Sequence, residues 1–468
     1  MRHWQQFPPD YRQQELQQIA GWLAAGESGS VIGLPGVGRS SFFDFLANRP
    51  DRLAAHLPAG QPAILLIPLD LNILPDFQMA TFYRAILRSF FESQARMESP
   101  LADLISTLFR KCEGSQDAFL AQSALREFLL ACEAGGYRVA LLLNRFDDFC
   151  AIASQEVTRT LLSVRDSFRD TLLFIAGVRR DLRYGTGLDQ ADPLFQLLDT
   201  HSCWLKPLTA LAAQQMLARR LDHLRDEDVA HVISLLPALT GHWPSLLRVA
   251  GQLYAQRLLP ADIELWGEMI AAHQATQYRL TRLWRSLTAA EARLLQKVAQ
   301  ADTVSRAGLP PVEQEICLRL QQLGVFVEGE RGLELSSPLL SSYAAGLGEL
   351  SAGLFWLDEA SGELMQDQEP LHHLTAQQQA LLRLFLRSAQ QRLSYTQIIE
   401  EVWPKESAGK EGVEIATLHQ AIHSLRLKIE PEPRRPRYVI NYTDWPEGGY
   451  IFYAEGRPVD VTSSRSSS

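Results

Sequence analysis

Apolar and polar positions along this chain follow two different rhythms. Up to about residue 208, short continuous apolar runs alternate with stretches of helical spacing. A polar, Gln-rich stretch at 12–25 repeats like a helix and stops near Gly26. Ser30-Val31-Ile32 then leads into a Gly-rich loop, and residues 41–47 resume helical spacing. Further apolar runs at 63–71, 138–143, 171–177 and 201–205 read as strands, while 78–94, 101–112, 117–133 and 155–168 read as helices. Strands alternating with helices predict βαβ units and a parallel sheet. The runs are apolar throughout rather than at every second position, as befits strands covered by helices on both faces.

After Pro207 the strand signal vanishes. Residues 209–280 are helical in pattern, with one break at Thr240-Gly241-His242-Trp243-Pro244. Residues 286–345 read as three helices and a hairpin, its strands joined by Gly329-Glu330-Arg331-Gly332, which is the outline of a winged helix. A second such outline begins near Ser351. The pattern therefore predicts an α/β core at 29–208 preceded by an N-terminal helix (1–28). A helical lid at 209–281 follows, then winged helices at 282–346 and 352–456, and a Ser-rich disordered tail at 457–468.

Composition supports this division. The 468 residues are 46% hydrophobic and 21% charged, an ordinary globular balance. At roughly 150 residues per domain, about three domains are expected. A formal charge of −9, from 45 Lys+Arg against 54 Asp+Glu, argues against a protein that coats nucleic acid with its whole surface. It leaves room for a local basic patch. The five cysteines are widely spaced without a CxxC, so they predict small buried hydrophobes rather than disulfides or a zinc site. No apolar signal core opens the chain, and no run approaches the roughly 20 apolar residues that span a bilayer. A soluble cytoplasmic protein is expected.

Candidate chemistry begins in the Gly-rich loop. Gly33-Leu34-Pro35-Gly36-Val37-Gly38-Arg39-Ser40 fits G-x-x-x-x-G-K-[ST] except that Arg39 stands where Lys is expected. Gly33, Gly36 and Gly38 let backbone N–H groups wrap phosphates, and a helix opening at Ser40 and Ser41 adds its dipole. The Ser40 hydroxyl is placed to help hold Mg²⁺. Arg39 keeps the charge but not the compact shape of an ammonium. An acidic pair should follow another strand, and Val139-Ala140-Leu141-Leu142-Leu143-Asn144-Arg145-Phe146-Asp147-Asp148-Phe149 is the candidate.

Here the sequence resembles the P-loop ATPases of the STAND and origin-recognition-complex-like AAA+ groups. Aligned on Phe146-Asp147, the resemblance puts Asn144 at the Mg²⁺-coordinating Asp and Arg145 at the water-activating Glu. An amide brings no charge to a metal and Arg cannot accept a proton. A shifted register would use Asp147 and Asp148 instead, but needs a longer strand. The resemblance extends to a sensor strand at 171–178 ending in Arg179-Arg180, and to Lys206-Pro207-Leu208-Thr209 leading into the lid. It also covers Gly241-His242-Trp243-Pro244, a Gly-x-Pro motif with one extra residue, which implies that Pro244 lies near a nucleotide base. ATP or ADP, with Mg²⁺, is the implied ligand, and hydrolysis is expected to be weak or absent.

The two winged-helix outlines differ in charge. The middle one resembles the module that often follows such a lid, but its candidate reader at 312–323 is not basic, and domain packing is its expected role. The C-terminal one carries Leu354-Phe355-Trp356-Leu357, Leu374-Thr375, Val402-Trp403 and Gly448-Gly449-Tyr450 in order. It resembles the effector domain of OmpR/PhoB-type response regulators over 352–456, and so implies a bacterial, DNA-binding regulator. Ile415, Leu418, Ile422, Leu425 and Ile429 recur at helical spacing as a buried stripe. Thr417, His419, Gln420, His423, Ser424 and Arg426 lie on other faces, where they can reach base edges in a major groove. Arg426, Lys428, Arg434, Arg435 and Arg437 form a cluster suited to phosphates. Between 426 and 437 five basic residues meet two acidic ones, whereas 352–468 holds 12 basic and 16 acidic. Asp444 and Glu447 add negative charge to the wing. His419 and His423 stand one helical turn apart but lack a third metal ligand.

Together these features predict a DNA-binding regulator governed by a degenerate, non-hydrolysing nucleotide module, with double-stranded DNA and a second copy or another protein as partners and no membrane. Two other classes remain open: an active ATPase that loads on DNA, and a protein-interaction scaffold.

Overall fold

The computed structural model describes residues 7–8, 10–71, 74, 78–150, 155–182, 192–224, 229–301, 303–329, 332–347, 355–357, 363–366, 369–371, 374–389, 391–403, 415–430, 436–443, 448–454 and 456. The chain divides into two compact units, 1–286 with 318–327 and 335–340, and 287–317 with 328–334 and 341–468. Each is described by itself.

The first unit opens with α1 (Gln13–Ala25), β1 (Gly29–Ile32), α2 (Arg39–Asn48), α3 (Pro50–Ala54), β2 (Ala63–Asp70), α4 (Met79–Glu92), α5 (Ser99–Cys112) and α6 (Ala118–Ala134). It continues through β3 (Tyr137–Asn144), α7 (Phe146–Cys150), α8 (Gln155–Ser167), β4 (Leu172–Val178), α9 (Pro193–Asp199) and β5 (Ser202–Trp204). The five strands form one parallel sheet in the order β2-β3-β4-β1-β5. Every residue of β1 and β4 is buried, as are Val139–Leu143 of β3, so the continuous apolar runs are sheet interior. The strands share one direction, so Ile32, Asn144 and Val178 come to the same edge of the sheet, where ligands of open α/β folds bind.

The lid is α10 (Ala210–Leu221), α11 (Val229–Thr240), α12 (Pro244–Ala255), α13 (Trp266–Ala272) and α14 (Gln274–Trp284). Gly241 and His242, both at positive φ (60° and 61°), reverse the chain between α11 and α12. Gly241 also needs its missing side chain, since a Cβ there would meet the Ser336 carbonyl at 2.2 Å.

In the middle region, α15 (Ala289–Gln300) and α16 (Pro311–Gln322) precede a two-stranded sheet of β6 (Phe326–Gly329) and β7 (Gly332–Leu335), and α17 (Pro338–Gly346) follows it. Three helices before the hairpin were expected; after Ser286 two precede it and one follows. Segments of this region belong to each compact unit.

The C-terminal part begins with β8 (Phe355–Leu357), β9 (Leu364–Gln366) and β10 (Glu369–Pro370), an antiparallel sheet with one strand more than the expected hairpin. Then come α18 (Ala376–Arg387), β11 (Arg392–Ser394), α19 (Tyr395–Val402), α20 (Ile415–Ile429), β12 (Val439–Tyr442) and β13 (Gly449–Phe452). Capping boxes, Thr375 with Gln378 and Ser394 with Gln397, fix the starts of α18 and α19. The second sheet runs β11-β13-β12, and Phe355, Phe385, Ile398, Leu418, Ile422, Leu425, Tyr438 and Phe452 share one core. This is a winged helix. The tail at 457–468 lies outside the described residues.

Candidate functional site

The glycine loop sits between β1 and α2, as its spacing predicts. Gly36 and Gly38 have φ of 93° and 98°, a backbone only glycine adopts without strain. A Cβ on Gly33 would meet Val37 at 2.8 Å, and one on Gly36 would meet the Ser245 hydroxyl at 2.3 Å. The Ser245 N–H, in the first turn of α12, donates to the Gly36 carbonyl at 3.1 Å. The lid helix preceded by Gly241-His242-Trp243-Pro244 is thereby pinned to the loop.

The N-terminal segment braces the loop from behind. Arg12 is 7% exposed and in the left-handed region (φ 53°). Its guanidinium donates to the carbonyls of Val37 (2.7 Å) and Lys206 (3.0 Å) and pairs with Glu15 (2.9 Å). Phe7 stacks on Tyr11 with ring centroids 4.1 Å apart. Phe7, Pro8 and Tyr11, which precede α1, line the site.

The strand β3 ends at Asn144, whose side-chain amide lies 3.4–3.5 Å from the Ser40 hydroxyl. Arg145 follows at φ 55°, and Asp147 and Asp148 fall on the short helix α7 instead of the strand. This geometry has Asn144, not a carboxylate, opposite Ser40, and it does not give the longer strand that the shifted register needs. Asp147 is 8% exposed and accepts from the Arg179 backbone N–H (3.1 Å) and Nε (2.5 Å); the Arg179 guanidinium also pairs with Asp148. Burial lowers the Arg179 pKa, but the two carboxylates more than reverse that and leave it raised.

Arg39 donates from its guanidinium to the Gly33 carbonyl of the loop at 3.5 Å. Its stem lies over Gly177 on β4, which leaves room by lacking a Cβ, and its guanidinium is 4.0 Å from Asp147. Burial, opposed by Asp147 and aided by the positive Arg179, lowers its pKa to about 10. Arg39 Nε and Asp147 Oδ1 are buried without a hydrogen-bond partner. A buried, incompletely paired charge of this kind is destabilising by itself.

Above the loop lies a cleft of about 1040 Å³. Its floor includes Gly33, Gly36, Gly38, Arg39, Ser40 and Ser41, and Arg145, Asp148 and Arg179 line it from the core. Phe7, Pro8, Tyr11, Leu208, Met216 and Pro244 give it an apolar lining suited to a flat ring. Arg219, Arg220, Arg248, Arg279 and Arg282 enter from α10, α12 and α14, with Asp222 as their acidic neighbour. Burial, and then the charge of Arg248, lowers the pKa of both Arg220 and Arg279, so these cations crowd one another. The sequence reading missed the five lid arginines, Ser245 and the aromatic pair. Of its own candidates it placed Pro244 on the cleft wall; Arg180 turns away and donates to the Ser286 carbonyl at 2.6 Å.

In the C-terminal unit, Thr417, His419, Gln420, His423, Ser424 and Lys428 are exposed on α20. His419 packs edge-on against Tyr395 at 5.1 Å, and the Ser424 hydroxyl accepts from Gln378 Nε2 at 2.9 Å. Two expectations need correction. Ile415 is 47% exposed, because the first turn of α20 runs past the core that buries Leu418, Ile422, Leu425 and Ile429. Arg426 is not held ready for a phosphate. It donates to the Val439 carbonyl (Nε at 3.1 Å) and to Asn441, and lies 5.6 Å from the Tyr450 ring centroid, so it ties α20 to the wing. Glu430, 7% exposed, accepts from the backbone N–H groups of Arg437 (2.6 Å), Tyr438 (3.0 Å) and Val439 (2.8 Å). Burial raises its pKa against the lowering effect of those donors. Arg437 is half-buried at this turn and its pKa is lowered by burial. Arg434, Arg435, Asp444 and Glu447 lie outside the described residues.

All five cysteines are buried, and burial pushes the Cys132 thiol up to about 12. Among the described residues there is no group of three or more His, Cys, Asp or Glu that could hold a metal, and no helix long and apolar enough to cross a membrane.

The sheet, the glycine loop at a helix N-terminus and the overlying helices define a P-loop NTPase core with a lid, and the C-terminal unit is a winged helix of transcriptional-regulator type. Residues 368–452 match the family of transcriptional regulatory protein C-terminal domains. Protein PetR of Rhodobacter capsulatus is 39% identical over 101 residues, which are 20% of this chain and 40% of that protein, so the chain covers well under half of that relative. A Walker-type ATPase of Pyrococcus abyssi superposes with a TM-score of 0.46 at 15% identity, over 71% of this chain and 95% of that one. The Aeropyrum pernix ORC2 protein, solved as ADPNP–ADP complexes, gives 0.42 at 14% identity, over 71% and 91%.

Proposed function

We propose that this chain is a DNA-binding transcriptional regulator whose P-loop module binds ATP or ADP without hydrolysing it and thereby sets how the C-terminal winged helix is used. One observation carries the reading: an arginine-lined cleft over a glycine loop, in which Asp147 and Asp148 are held by Arg179, shares a chain with a transcriptional-regulator winged helix. Arg145 cannot take a proton, and Asp147 and Asp148 are engaged by Arg179. The phosphates would lie on the N–H groups of the loop and the start of α2, with the base toward Phe7, Tyr11 and Pro244. DNA would be read by Thr417, His419, Gln420 and His423, with Lys428, Arg434, Arg435 and Arg437 toward the phosphates.

A nucleotide shifts an equilibrium only by binding its two states differently. The test is the affinity of the full chain for a duplex that it selects from a random pool, measured with no nucleotide, with ADP and with ATP. The expected result is a change with at least one nucleotide, and an affinity that falls steeply with salt. Equal affinities in all three conditions overturn the switch. Binding insensitive to salt overturns the DNA reading and favours a protein scaffold.

A further inference from the structure

The Mg²⁺ that a P-loop fold implies does not suit the residues present. Mg²⁺ seeks hard, charged oxygens beside its phosphates and waters. Opposite the Ser40 hydroxyl stands the neutral amide of Asn144, at 3.4–3.5 Å. Asp147 and Asp148, on the helix that follows, both hold Arg179. The cleft instead gathers cations. Arg39, Arg145 and Arg179 line it from the core and five lid arginines from above, against Asp148 and Asp222.

We infer that the cleft takes the phosphate chain of a nucleoside di- or triphosphate as the metal-free anion, with the lid arginines neutralising charge where other sites use Mg²⁺. This rests on the nucleotide reading above and gives that site a ligand state. The physical case is one of balance. Like charges held together in a partly buried space repel, and an anion placed among them relieves the repulsion. Arg220 and Arg279 are each disfavoured by burial and by Arg248, and Arg39 by burial and Arg179 against the pull of Asp147, so holding these cations together is costly. A free nucleotide carries more negative charge than its Mg²⁺ complex and relieves more of that cost. Arginine also offers forked donors that match phosphate oxygens in pairs. The lid arginines come from α10, α12 and α14, so an anion held this way also draws the lid helices onto the loop.

The test is calorimetric titration of the full chain with ADP and with ATP, in EDTA and in excess Mg²⁺ at matched ionic strength. Binding in EDTA should be at least as tight as in Mg²⁺. Binding tighter by about tenfold or more in Mg²⁺ overturns the inference while leaving the nucleotide reading intact. No nucleotide binding in either buffer overturns the nucleotide reading itself, and tripolyphosphate titrated in parallel shows whether an anion cleft remains. Asn144→Asp supplies the missing carboxylate at a solvent-accessible position. It should weaken binding in EDTA and make it recover on addition of Mg²⁺. A variant that behaves like the parent chain in both buffers contradicts the inference.

Discussion

The cleft and the α20 helix both depend on arginine, and they use it in opposite ways. In the C-terminal unit Arg426 is spent inside the fold, on Val439 and Asn441, and the turn after it is held by Glu430. These side chains fix the angle between helix and wing. In the cleft, arginines from six separate segments converge with two acids among them. Burial and the charge of a neighbouring arginine lower the pKa of Arg39, Arg220 and Arg279 there. Arg426, from a cluster in the chain, thus serves as a strut, while the arginines that line the cleft come from positions far apart in the chain.

Three substitutions can break or sharpen this contrast. Gly36→Val should have the largest effect. Its Cβ would fall 2.3 Å from the Ser245 hydroxyl at a φ of 93°, so the loop must distort and release α12. Nucleotide affinity should drop by more than about tenfold, measured by calorimetry, with DNA binding by the winged helix retained.

Glu430→Gln should come next and act only on the C-terminal unit. The amide puts an NH2 where a carboxylate oxygen accepts, leaving buried backbone donors unpaired at a cost of about 1–3 kcal/mol, read from the unfolding of that unit. The same residue gives a pH signature. Its folded pKa is raised, chiefly by burial, so its contribution to stability is full below the unfolded carboxylate pKa and is lost as pH rises through the raised value. The substitution should remove that slope, and a slope unchanged in the variant would place its cause elsewhere.

Arg39→Met should have the smallest effect, and of opposite sign. Replacing a buried, poorly paired cation by an apolar chain of similar length should leave the nucleotide-free protein as stable or more stable by about 1 kcal/mol, seen as an unchanged or raised Tm. The stabilisation by ADP should shrink. A large loss of stability without nucleotide would mean that Arg39 is a strut like Arg426, and the contrast would fail.

These differences track what the sequence could reveal. The sheet was legible because parallel strands covered on both faces must be apolar throughout, as Val139–Leu143 and Leu172–Val178 are. The glycine loop was legible because positive φ restricts residue choice. The short helix α7 was not, since its five residues, Phe146 to Cys150, are too few to carry a helical period. The lid arginines were invisible because each alone looks like a solvated helix face, and only the packing of α10, α12 and α14 joins them. Ile415 kept the helical period but outran the core. Phe7 and Tyr11, an aromatic pair before a polar helix, were a signal that could have been read and was passed over.

The central claim is binding without turnover, and the most direct measurement follows phosphate release by the full chain under saturating ATP, in Mg²⁺ and in EDTA, beside equilibrium binding in the same buffers. The account predicts saturable nucleotide binding in both buffers, with phosphate release no higher than that of Gly36→Val. Sustained, Mg²⁺-dependent release by the parent chain that disappears in Gly36→Val would contradict it.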